Sequence, residues 1–286
     1  MTSIDRSMAG KTVVITGASS GIGRQAAIEL AGRGARVAVV GRNRARAEAI
    51  AAEVGGVAFI ADFDRLDDVH TLADDLLFAC DRIDVLANNA GGLVPTRALT
   101  VDGRERTVQS NHLAPFLLTQ LLMPRLIESG ARVISTASVA NRWARLRLDD
   151  LNWAERPWLG GWGAYGTSKL ATILFTEELA RRTAGTGVSA YSFHPGFVAT
   201  SFGHGSPLMA LIALASGGRY GISVEAGAVP LIELASTLDP GFPSGTYFDT
   251  LTGNGRRHRL AGDADLAAAL WERSAELVGC ERTSWA

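Results

Sequence analysis

The chain has 286 residues, 47% of them apolar, which is enough to bury a substantial core and is normal for one α/β enzyme domain. Its formal net charge of -1 gives no reason to expect a nucleic acid or an acidic membrane as partner. The two cysteines have no metal-site spacing and residues 1–9 predict neither a secretory signal nor a membrane anchor, so we expect one cytoplasmic domain over residues 1–286 without a metal.

Residues 11–30 predict a strand, a glycine-rich turn and a helix. Val13–Ile15 is a β-branched apolar run that suits a strand buried on both faces of a parallel sheet. Gly17 can adopt backbone angles closed to other residues, Gly21 lets a ligand approach the main chain, and Gly23 lets the helix pack tightly on the sheet. The helix N-terminus then forms a site for a pyrophosphate, which indicates a bound dinucleotide. Taken alone, the glycine pattern also fits a purely structural corner.

The second predicted strand, Arg36–Val40, is followed by Gly41, Arg42 and Asn43. An acidic residue at this strand end binds the ribose 2′-hydroxyl of NAD, whereas a nearby arginine accommodates the 2′-phosphate of NADP. The acidic residue is missing and Arg42 stands beside its place. We therefore expect NADPH to be preferred over NADH.

Polar residues also follow the third and fourth predicted strands. Val57–Ala61 leads into Asp62-Phe63, where the carboxylate either binds an adenine amino group or caps the next helix. Ile83–Ala87 leads into two asparagines and a glycine pair, residues 88–92, which can tie off backbone groups and leave room for a flat ligand.

Asn111 falls inside the stretch Val101–Ser129, which is predicted to be mostly helical. Asparagine is unfavourable there, so it is either a tolerated defect or the holder of a local break. The fifth predicted strand, Arg132–Ala137, ends at Ser138, where the catalytic groups of open parallel sheets collect. The segment 141–163 lacks periodicity and carries four tryptophans, which indicates an ordered inserted loop.

A helix predicted from Ala164 carries Tyr165 and Lys169 four residues apart, so both side chains share one face. Tyrosine has a pKa of about 10, too high for easy proton exchange at neutral pH. An ammonium at roughly 4 Å favours the phenolate by up to about 4 kcal/mol at an effective dielectric of about 20. We therefore expect Lys169 to lower the pKa of Tyr165. The phenol would then protonate a carbonyl oxygen as a hydride arrives, and Ser138 would orient that oxygen.

The remaining elements continue the alternation of strands and helices. The apolar, glycine-flanked segment 200–218 suits either a substrate lid or a plain buried helix. The other predictions are a strand over Gly187–Phe193, a helix over Val224–Thr237, a strand around Thr246–Phe248 and a helix over Asp263–Val278.

Motifs along nearly the whole chain resemble the short-chain dehydrogenase/reductase family. They are Thr16–Gly23, Asn88–Gly91, Asn111, Ser138, Tyr165–Lys169 and Pro195-Gly196. Residues 149–153, 165–176 and 270–274 are similar to the retinol-dehydrogenase-like branch. The resemblance implies an α/β fold, a single-domain Rossmann-type doubly wound parallel sheet of about seven strands with helices on both faces.

The resemblance also implies a site. Ser138, Tyr165 and Lys169 are expected to be catalytic, Lys169 also to bind the nicotinamide ribose, and Asn111 to hold a water that relays protons to Lys169. Thr200 is expected to contact the carboxamide. The expected cofactor-binding residues are Gly17, Ser19, Ser20, Gly21, Ile22, Gly23, Arg42, Asp62, Phe63, Asn89, Ala90, Gly91, Tyr165, Lys169, Pro195, Gly196, Val198 and Thr200.

The expected function is an NADP(H)-dependent interconversion of a carbonyl and a secondary alcohol on an apolar small molecule. Two alternatives stay open: a redox-neutral epimerase-type enzyme of the same family, and a non-catalytic NADP-sensing or scaffold protein of the same fold. A retinoid substrate does not follow, because the membrane-bound retinol enzymes carry an N-terminal anchor that is not predicted here. The family commonly pairs subunits through the helices of Asn111 and Tyr165, so a homodimer or homotetramer is expected unless segment 141–163 reshapes that contact.

Overall fold

The computed structural model describes residues 7–198 and 221–280 of the chain. An eight-stranded sheet runs through this part. Its strands are β1 (Thr12–Thr16), β2 (Arg36–Gly41), β3 (Val57–Ile60), β4 (Val85–Asn88), β5 (Arg132–Thr136), β6 (Ser189–His194), β7 (Tyr247–Asp249) and β8 (Thr252–Gly253). The helices are α1 (Gly21–Gly32), α2 (Arg44–Val54), α3 (Leu66–Ala79), α4 (Arg106–Val108), α5 (Ala114–Ser129), α6 (Trp162–Arg182), α7 (Val224–Ser236) and α8 (Ala264–Val278).

The strands lie in the order β3-β2-β1-β4-β5-β6-β7-β8, and each neighbouring pair is parallel except β7 with β8. The chain lays β1, β2 and β3 in one direction and then returns to place β4 on the other side of β1. This order confirms the predicted doubly wound sheet. The reversal opens a crevice at the carboxyl ends of β1 and β4, the usual ligand site of such sheets. The antiparallel β8 was not predicted, because two residues are too few to show a pattern.

Both faces of the sheet are buried, as the apolar run of β1 requires. Val13 and Ile15 pack in the cluster that contains residues of α1, α2 and α7, whereas Val14 packs with residues of α3, α5, α6 and α8. Successive strand residues point to opposite faces, so an uninterrupted apolar strand marks a sheet covered on both sides. Each such side chain contributes about 1.5–3 kcal/mol through burial.

The C-terminal helix α8 packs across α5 and α6 through an aromatic cluster. The Trp271 ring stacks on Phe175 with a centroid distance of 5.7 Å and meets Phe116 edge-on at 5.0 Å. The Arg182 guanidinium also lies 4.7 Å from the Trp271 centroid and pairs with Glu272 at 2.8 Å. Helix α8 therefore covers part of the two helices through which subunit pairing is expected.

The helical region around Asn111 begins later than predicted. Residues 101–104 form a turn, and the helix starts at Arg106 because Glu105 caps it. The Glu105 carboxylate accepts hydrogen bonds from the backbone N–H groups of Thr107 and Val108 at 2.7 and 2.9 Å. Capping by a side-chain oxygen satisfies the unpaired N–H groups of a first turn, which fixes where the helix begins.

The tryptophan-rich segment 141–163 is held by its aromatic side chains. Trp153 is buried beneath Arg156, whose guanidinium lies 3.8 Å from the ring centroid. The indole N–H of Trp158 donates to the Pro95 carbonyl at 2.6 Å. The Trp158 bond attaches the segment to the chain that follows β4, at a residue that lines the cavity.

Two predictions fall on residues that the structure does not describe. The expected lid over 200–218 and the expected carboxamide contact of Thr200 lie outside residues 7–198 and 221–280. Within those described ranges, no helix combines the length and the apolar composition needed to cross a bilayer.

We expect Gly23→Ala to lower the free energy of unfolding by about 1–3 kcal/mol, because overpacking in a rigid site costs that much. A Cβ on Gly23 would lie 2.5 Å from the Gly17 carbonyl oxygen and 2.6 Å from the Asn89 side-chain nitrogen. Gly32→Ala in the same helix is the matched control, since a Cβ there meets nothing within 4 Å. Urea denaturation should show Gly32→Ala unchanged or slightly more stable. Equal stability of the two variants would contradict the close packing at Gly23.

Candidate active site

A cavity of about 630 Å³ lies in the crevice at the carboxyl edge of the sheet. Most of the predicted site residues line it together. They are Gly17, Ser19, Ser20, Gly21, Ile22, Arg42, Asp62, Phe63, Asn89, Ala90, Gly91, Ser138, Tyr165, Lys169, Pro195, Gly196 and Val198. Gly23 and Asn111 stand behind this lining, and Thr200 is outside the described residues.

The turn between β1 and α1 fits a phosphate group. Gly17 has a φ of 68°, which L-residues with a side chain rarely adopt, and a Cβ there would lie 3.0 Å from the Ala90 Cα. The N-cap residue Ser20 makes no side-chain cap, and the first turn of α1 has no acidic residue. The N–H groups at this helix end therefore face the cavity without a charge or a cap that would compete with an anion. Gly23 lets α1 pack against Gly17, as predicted, since a Cβ there would lie 2.5 Å from the Gly17 carbonyl oxygen.

Asn89 ties this turn to the ends of β1 and β5. Its side-chain N–H donates to the Thr16 carbonyl at 3.0 Å, and its oxygen accepts from the Thr136 hydroxyl at 3.3 Å. The hydroxyl oxygen of Thr16 in turn accepts from the backbone N–H groups of Asn89 and Ala90, both at 3.0 Å. Of the asparagine pair predicted to tie off backbone groups, Asn89 does so through its side chain, whereas the Asn88 side chain donates to the Thr119 hydroxyl at 3.0 Å.

Two arginines and two carboxylates gather at the end of the cavity near β2 and β3. Arg42 lies 3.7 Å from Asp62 and 3.6 Å from Asp64, with about 64% of its side chain exposed. Arg106 donates to Asp64 at 2.6 Å. Asn43 does not face the cavity with a free carboxamide, because its oxygen caps α2 by accepting from the Arg46 N–H at 3.0 Å.

The expectation that Asp62 caps the next helix is wrong. Helix α3 begins after Arg65 without a side-chain cap, and the Asp62 carboxylate accepts instead from the Asp64 N–H at 3.1 Å. That short turn keeps Asp62 at the cavity wall. Of the two expected roles, only the one at the adenine end is compatible with this position.

Tyr165, Ser138 and Lys169 meet at the other end of the cavity. Tyr165 and Lys169 are about 6% and 4% exposed, and the Lys169 nitrogen lies 5.7 Å from the phenol ring centroid. The hydroxyls of Tyr165 and Ser138 are joined by a hydrogen bond. The Lys169 ammonium donates to the Thr136 carbonyl at 2.7 Å, which fixes it at the end of β5. The shared helical face predicted from the four-residue spacing is present.

The expected direction of the tyrosine pKa is wrong for this arrangement. Burial raises the pKa of Tyr165 to about 12, although the hydrogen bond from Ser138 opposes the rise. Burial also lowers the pKa of Lys169 to about 8. Desolvation disfavours the charged form of each group, and at 5.7 Å from the ring the ammonium does not outweigh it. The phenol therefore stays protonated across the neutral pH range.

Asn111 lies in a π-helical turn, Gln109–Leu113, between α4 and α5. Its carboxamide oxygen accepts from the Gly92 N–H at 2.9 Å, and its N–H groups donate to the Gly92 carbonyl at 3.0 Å and the Ser168 hydroxyl at 3.1 Å. Asn111 was expected to be either a tolerated defect in a helix or the holder of a local break in it, and the π-helical turn is such a break. The carboxamide holds the loop after β4 against α6, one residue from Lys169.

The cavity wall near Tyr165 is apolar and was not predicted from the sequence. It includes Leu93, Val94, Pro95 and Val139. These residues lie in loops without periodicity, so no pattern marks them as a wall. Asp64 and Arg106 were missed for the same reason, although the position of Asp64 two residues after Asp62 was a signal.

Comparisons with known proteins agree on one family. The short chain dehydrogenase family model matches residues 11–148 and 154–208. A Streptomyces protein whose name proposes a daunorubicin C-13 ketoreductase, DnrU, is 42% identical over 94% of this chain and 93% of its own. Human retinol dehydrogenase 13 is 37% identical over 96% of this chain and 86% of its own.

Solved structures give the same picture. An uncharacterised protein from Mycobacterium paratuberculosis matches with a TM-score of 0.76 and 37% identity over 96% of this chain and 95% of that one. A Beutenbergia cavernae protein, whose name proposes an NAD(P)-dependent gluconate 5-dehydrogenase, contains NADP at low occupancy. It matches with a TM-score of 0.68 and 29% identity over 86% of this chain and 97% of that one.

We expect Lys169→Met to raise the free energy of unfolding at pH 7 by about 1–3 kcal/mol, because it removes a buried ammonium. Folding lowers the pKa of Lys169 from 10.5 to about 8. Between pH 8 and pH 10.5 the unfolded chain therefore keeps a proton on Lys169 that the folded chain has released. The stability of the unsubstituted protein therefore rises with pH in this window. The advantage of the variant should shrink accordingly between pH 8 and 10.

Denaturant titrations at pH 7, 8, 9 and 10 measure this difference, and groups that titrate in both proteins cancel. Lys11→Met, at the other lysine of the chain, is the matched control for the loss of one positive charge at a side chain that is 46% exposed. A Lys169→Met advantage that stays constant from pH 7 to 10 would contradict the lowered pKa.

Proposed function

Because the chain belongs to the short-chain dehydrogenase/reductase family and is retinol-dehydrogenase-like, we propose that it interconverts a carbonyl and a secondary alcohol on an apolar small molecule with NADP(H). One observation carries the proposal. The Tyr165 phenol, hydrogen-bonded to Ser138 and one helical turn from Lys169, faces the cavity at the carboxyl edge of the sheet.

Tyr165 is the proton donor of the proposed reduction. When bound, the nicotinamide supplies a hydride to the carbonyl carbon. The Tyr165 hydroxyl gives its proton to the carbonyl oxygen. The C=O double bond thus becomes a C–O single bond, with one new C–H bond and one new O–H bond. The raised pKa of about 12 keeps this phenol protonated at neutral pH. Proton donation to a developing alkoxide is favourable, because an alkoxide is far more basic than a phenolate.

Ser138 and Lys169 support this transfer in different ways. The Ser138 hydroxyl oxygen accepts from the Ala140 N–H at 3.2 Å, and its O–H, which faces the Tyr165 oxygen, would donate to the substrate oxygen once substrate is bound. Such a donor fixes the oxygen near Tyr165 and stabilises negative charge on it. Lys169, buried and attached to Thr136, has the position to bind a ribose hydroxyl beside the phenol. A cation there stabilises the phenolate left after proton transfer.

Arg42 supports the preference for NADP(H). No carboxylate occupies residues 41–43 after β2, and the mostly exposed Arg42 side chain meets Asp62 and Asp64 only at 3.6–3.7 Å. Ion pairs of that length at an exposed site are worth less than about 1 kcal/mol, so a 2′-phosphate can replace them. Arginine binds phosphate with two parallel N–H donors, which gives a stronger interaction.

The apolar wall supports an apolar substrate. In the described residues the charged side chains that line the cavity, apart from Lys169, are Arg42, Asp62, Asp64 and Arg106, all at the opposite end from Tyr165. The surface next to Tyr165 offers Leu93, Val94 and Val139 instead. Apolar walls favour ligands that lose little hydration on entering. The name of the Streptomyces relative, a ketoreductase, supports a ketone as the reducible group.

Tyr165→Phe should abolish turnover while leaving NADPH affinity within about threefold, because it removes only the proton donor. A panel of ketones, aldehydes and alcohols assayed with NADPH and NADP provides the substrate, and NADPH fluorescence gives the affinity. The matched control is Tyr191→Phe, whose hydroxyl donates to the Phe242 carbonyl at 3.2 Å on the other side of the sheet. Substantial activity in Tyr165→Phe would refute the assigned donor. Conversion of a substrate without net NADPH consumption would favour the redox-neutral alternative.

Arg42→Ala should weaken NADPH by at least about tenfold and NADH by less than about twofold, since a phosphate–arginine contact is worth about 1.5–3 kcal/mol. Arg44→Ala is the matched control, because Arg44, two residues later at the start of α2, pairs with Glu48 at 3.3 Å and does not line the cavity. Dissociation constants for both cofactors, measured by titration, decide the matter. Equal losses for NADPH and NADH would remove the phosphate assignment.

A further inference from the structure

The turn that follows Ser138 contains a buried asparagine that the proposed reaction does not use. Asn141 is completely buried, three residues after Ser138, in the short helical turn Val139–Trp143. A buried carboxamide is costly unless its donor and acceptor are both satisfied. Its contacts therefore indicate what it is there to hold.

Asn141 holds the main chain of Ser138 from two directions. Its backbone N–H donates to the Ser138 carbonyl oxygen at 3.0 Å, and its side-chain N–H donates to the same oxygen at 2.7 Å. Its side-chain oxygen accepts from the His258 backbone N–H at 2.9 Å. The carboxamide thus connects Ser138 to a loop more than one hundred residues later, the 249–258 segment.

The next residue reinforces the same connection. Arg142 donates to the Arg256 carbonyl at 2.9 Å and to the Asp249 carboxylate at 2.7 Å. The Ser138 turn, residues 138–143, is therefore attached to the 249–258 segment at three points. Ser138 and Val139 line the cavity, whereas the residues that make these attachments are not among the described residues that line it.

On its other side the turn rests on the helix that carries Tyr165. At Gly166 a Cβ would lie 2.8 Å from the Ala140 carbonyl oxygen, so only the missing side chain lets α6 approach this closely. The Ser138 turn is thus held between α6 and the 249–258 segment. The separation of the Ser138 and Tyr165 hydroxyls depends on both contacts.

We propose that Asn141 is a positioning residue that acts through Ser138, its carboxamide setting the Ser138 main chain so that the hydroxyl stays aligned with Tyr165. The inference rests on the proposed function, since it needs Ser138 to contact the substrate oxygen. A displacement of about 1 Å at a reacting group costs up to about a hundredfold in rate, which is why such a support matters.

Asn141→Asp tests this directly. Aspartate keeps the acceptor for His258 but loses the donor to the Ser138 carbonyl. In the proposed mechanism, kcat for ketone reduction should fall by at least about tenfold with little change in the NADPH dissociation constant. In a Ser138→Ala background the same substitution should lower kcat by less than about twofold, because the group through which Asn141 acts is already gone.

Asn152→Asp is the matched control for the chemical change. Asn152 lies in the same tryptophan-rich segment, and its carboxamide also bridges backbone groups, accepting from the Glu105 N–H at 3.0 Å and donating to the Gly103 carbonyl at 3.5 Å. It does not contact the Ser138 turn in these bonds. The kcat of the Asn152→Asp variant should stay within about twofold of the kcat of the unsubstituted protein.

Each outcome decides between positioning and general structure. Equal losses from Asn141→Asp with and without Ser138 would overturn the proposal, as would full activity of Asn141→Asp. If a buried carboxylate prevents folding, Asn141→Ser, which is uncharged and too short to bridge both groups, is measured in the same cycle under the same criteria. A Ser138→Ala variant that is fully active would instead contradict the proposed function itself, so the two failures are separable.

Discussion

The structure depends on burying a lysine ammonium and a tyrosine phenol together on one face of α6. Both side chains are less than 7% exposed, and desolvation penalises the charged form of each. This arrangement is unfavourable by itself, so the surrounding core must stabilise it. Helix α6 is suited to carry it, because Leu170, Leu174 and Leu179 of the same helix are fully buried in the cluster beneath the sheet. The reactive face is thus the part of a well-anchored helix that meets the edge of the sheet.

The strand order decides where that helix face meets a ligand. After β1 and β4 the chain leaves toward opposite faces of the sheet, which opens a crevice at their carboxyl ends. A ligand in the crevice therefore contacts the α1 N-terminus on one side and Ser138 with Tyr165 on the other. Charged side chains gather near β2 and β3, and apolar ones near the Tyr165 end. One cavity thus has a charged end near β2 and β3 and an apolar end near Tyr165.

The sequence predicted what depends on local patterns and missed what depends on contacts between distant loops. The strand run Val13–Ile15 and the four-residue spacing of Tyr165 and Lys169 are local, and the structure contains both. The apolar wall at Leu93 and the support from Asn141 arise only when separate loops meet. The sequence predicted a lowered pKa for Tyr165, whereas burial raises it. The charge of Lys169 four residues away is visible in the sequence, but the extent of burial is not.

Three asparagines solve the same physical problem around the cavity. At the carboxyl edge of a parallel sheet the strands separate, and backbone groups lose the partners that the ladder supplied. Asn89 bridges Thr16 to Thr136, Asn111 pairs with both backbone groups of Gly92, and Asn141 bridges Ser138 to His258. A carboxamide carries a donor and an acceptor like a peptide group, whereas an ionised carboxylate has no donor. The loops at this edge of the cavity are therefore joined to their neighbours by carboxamide hydrogen bonds where the ladder of the sheet has ended.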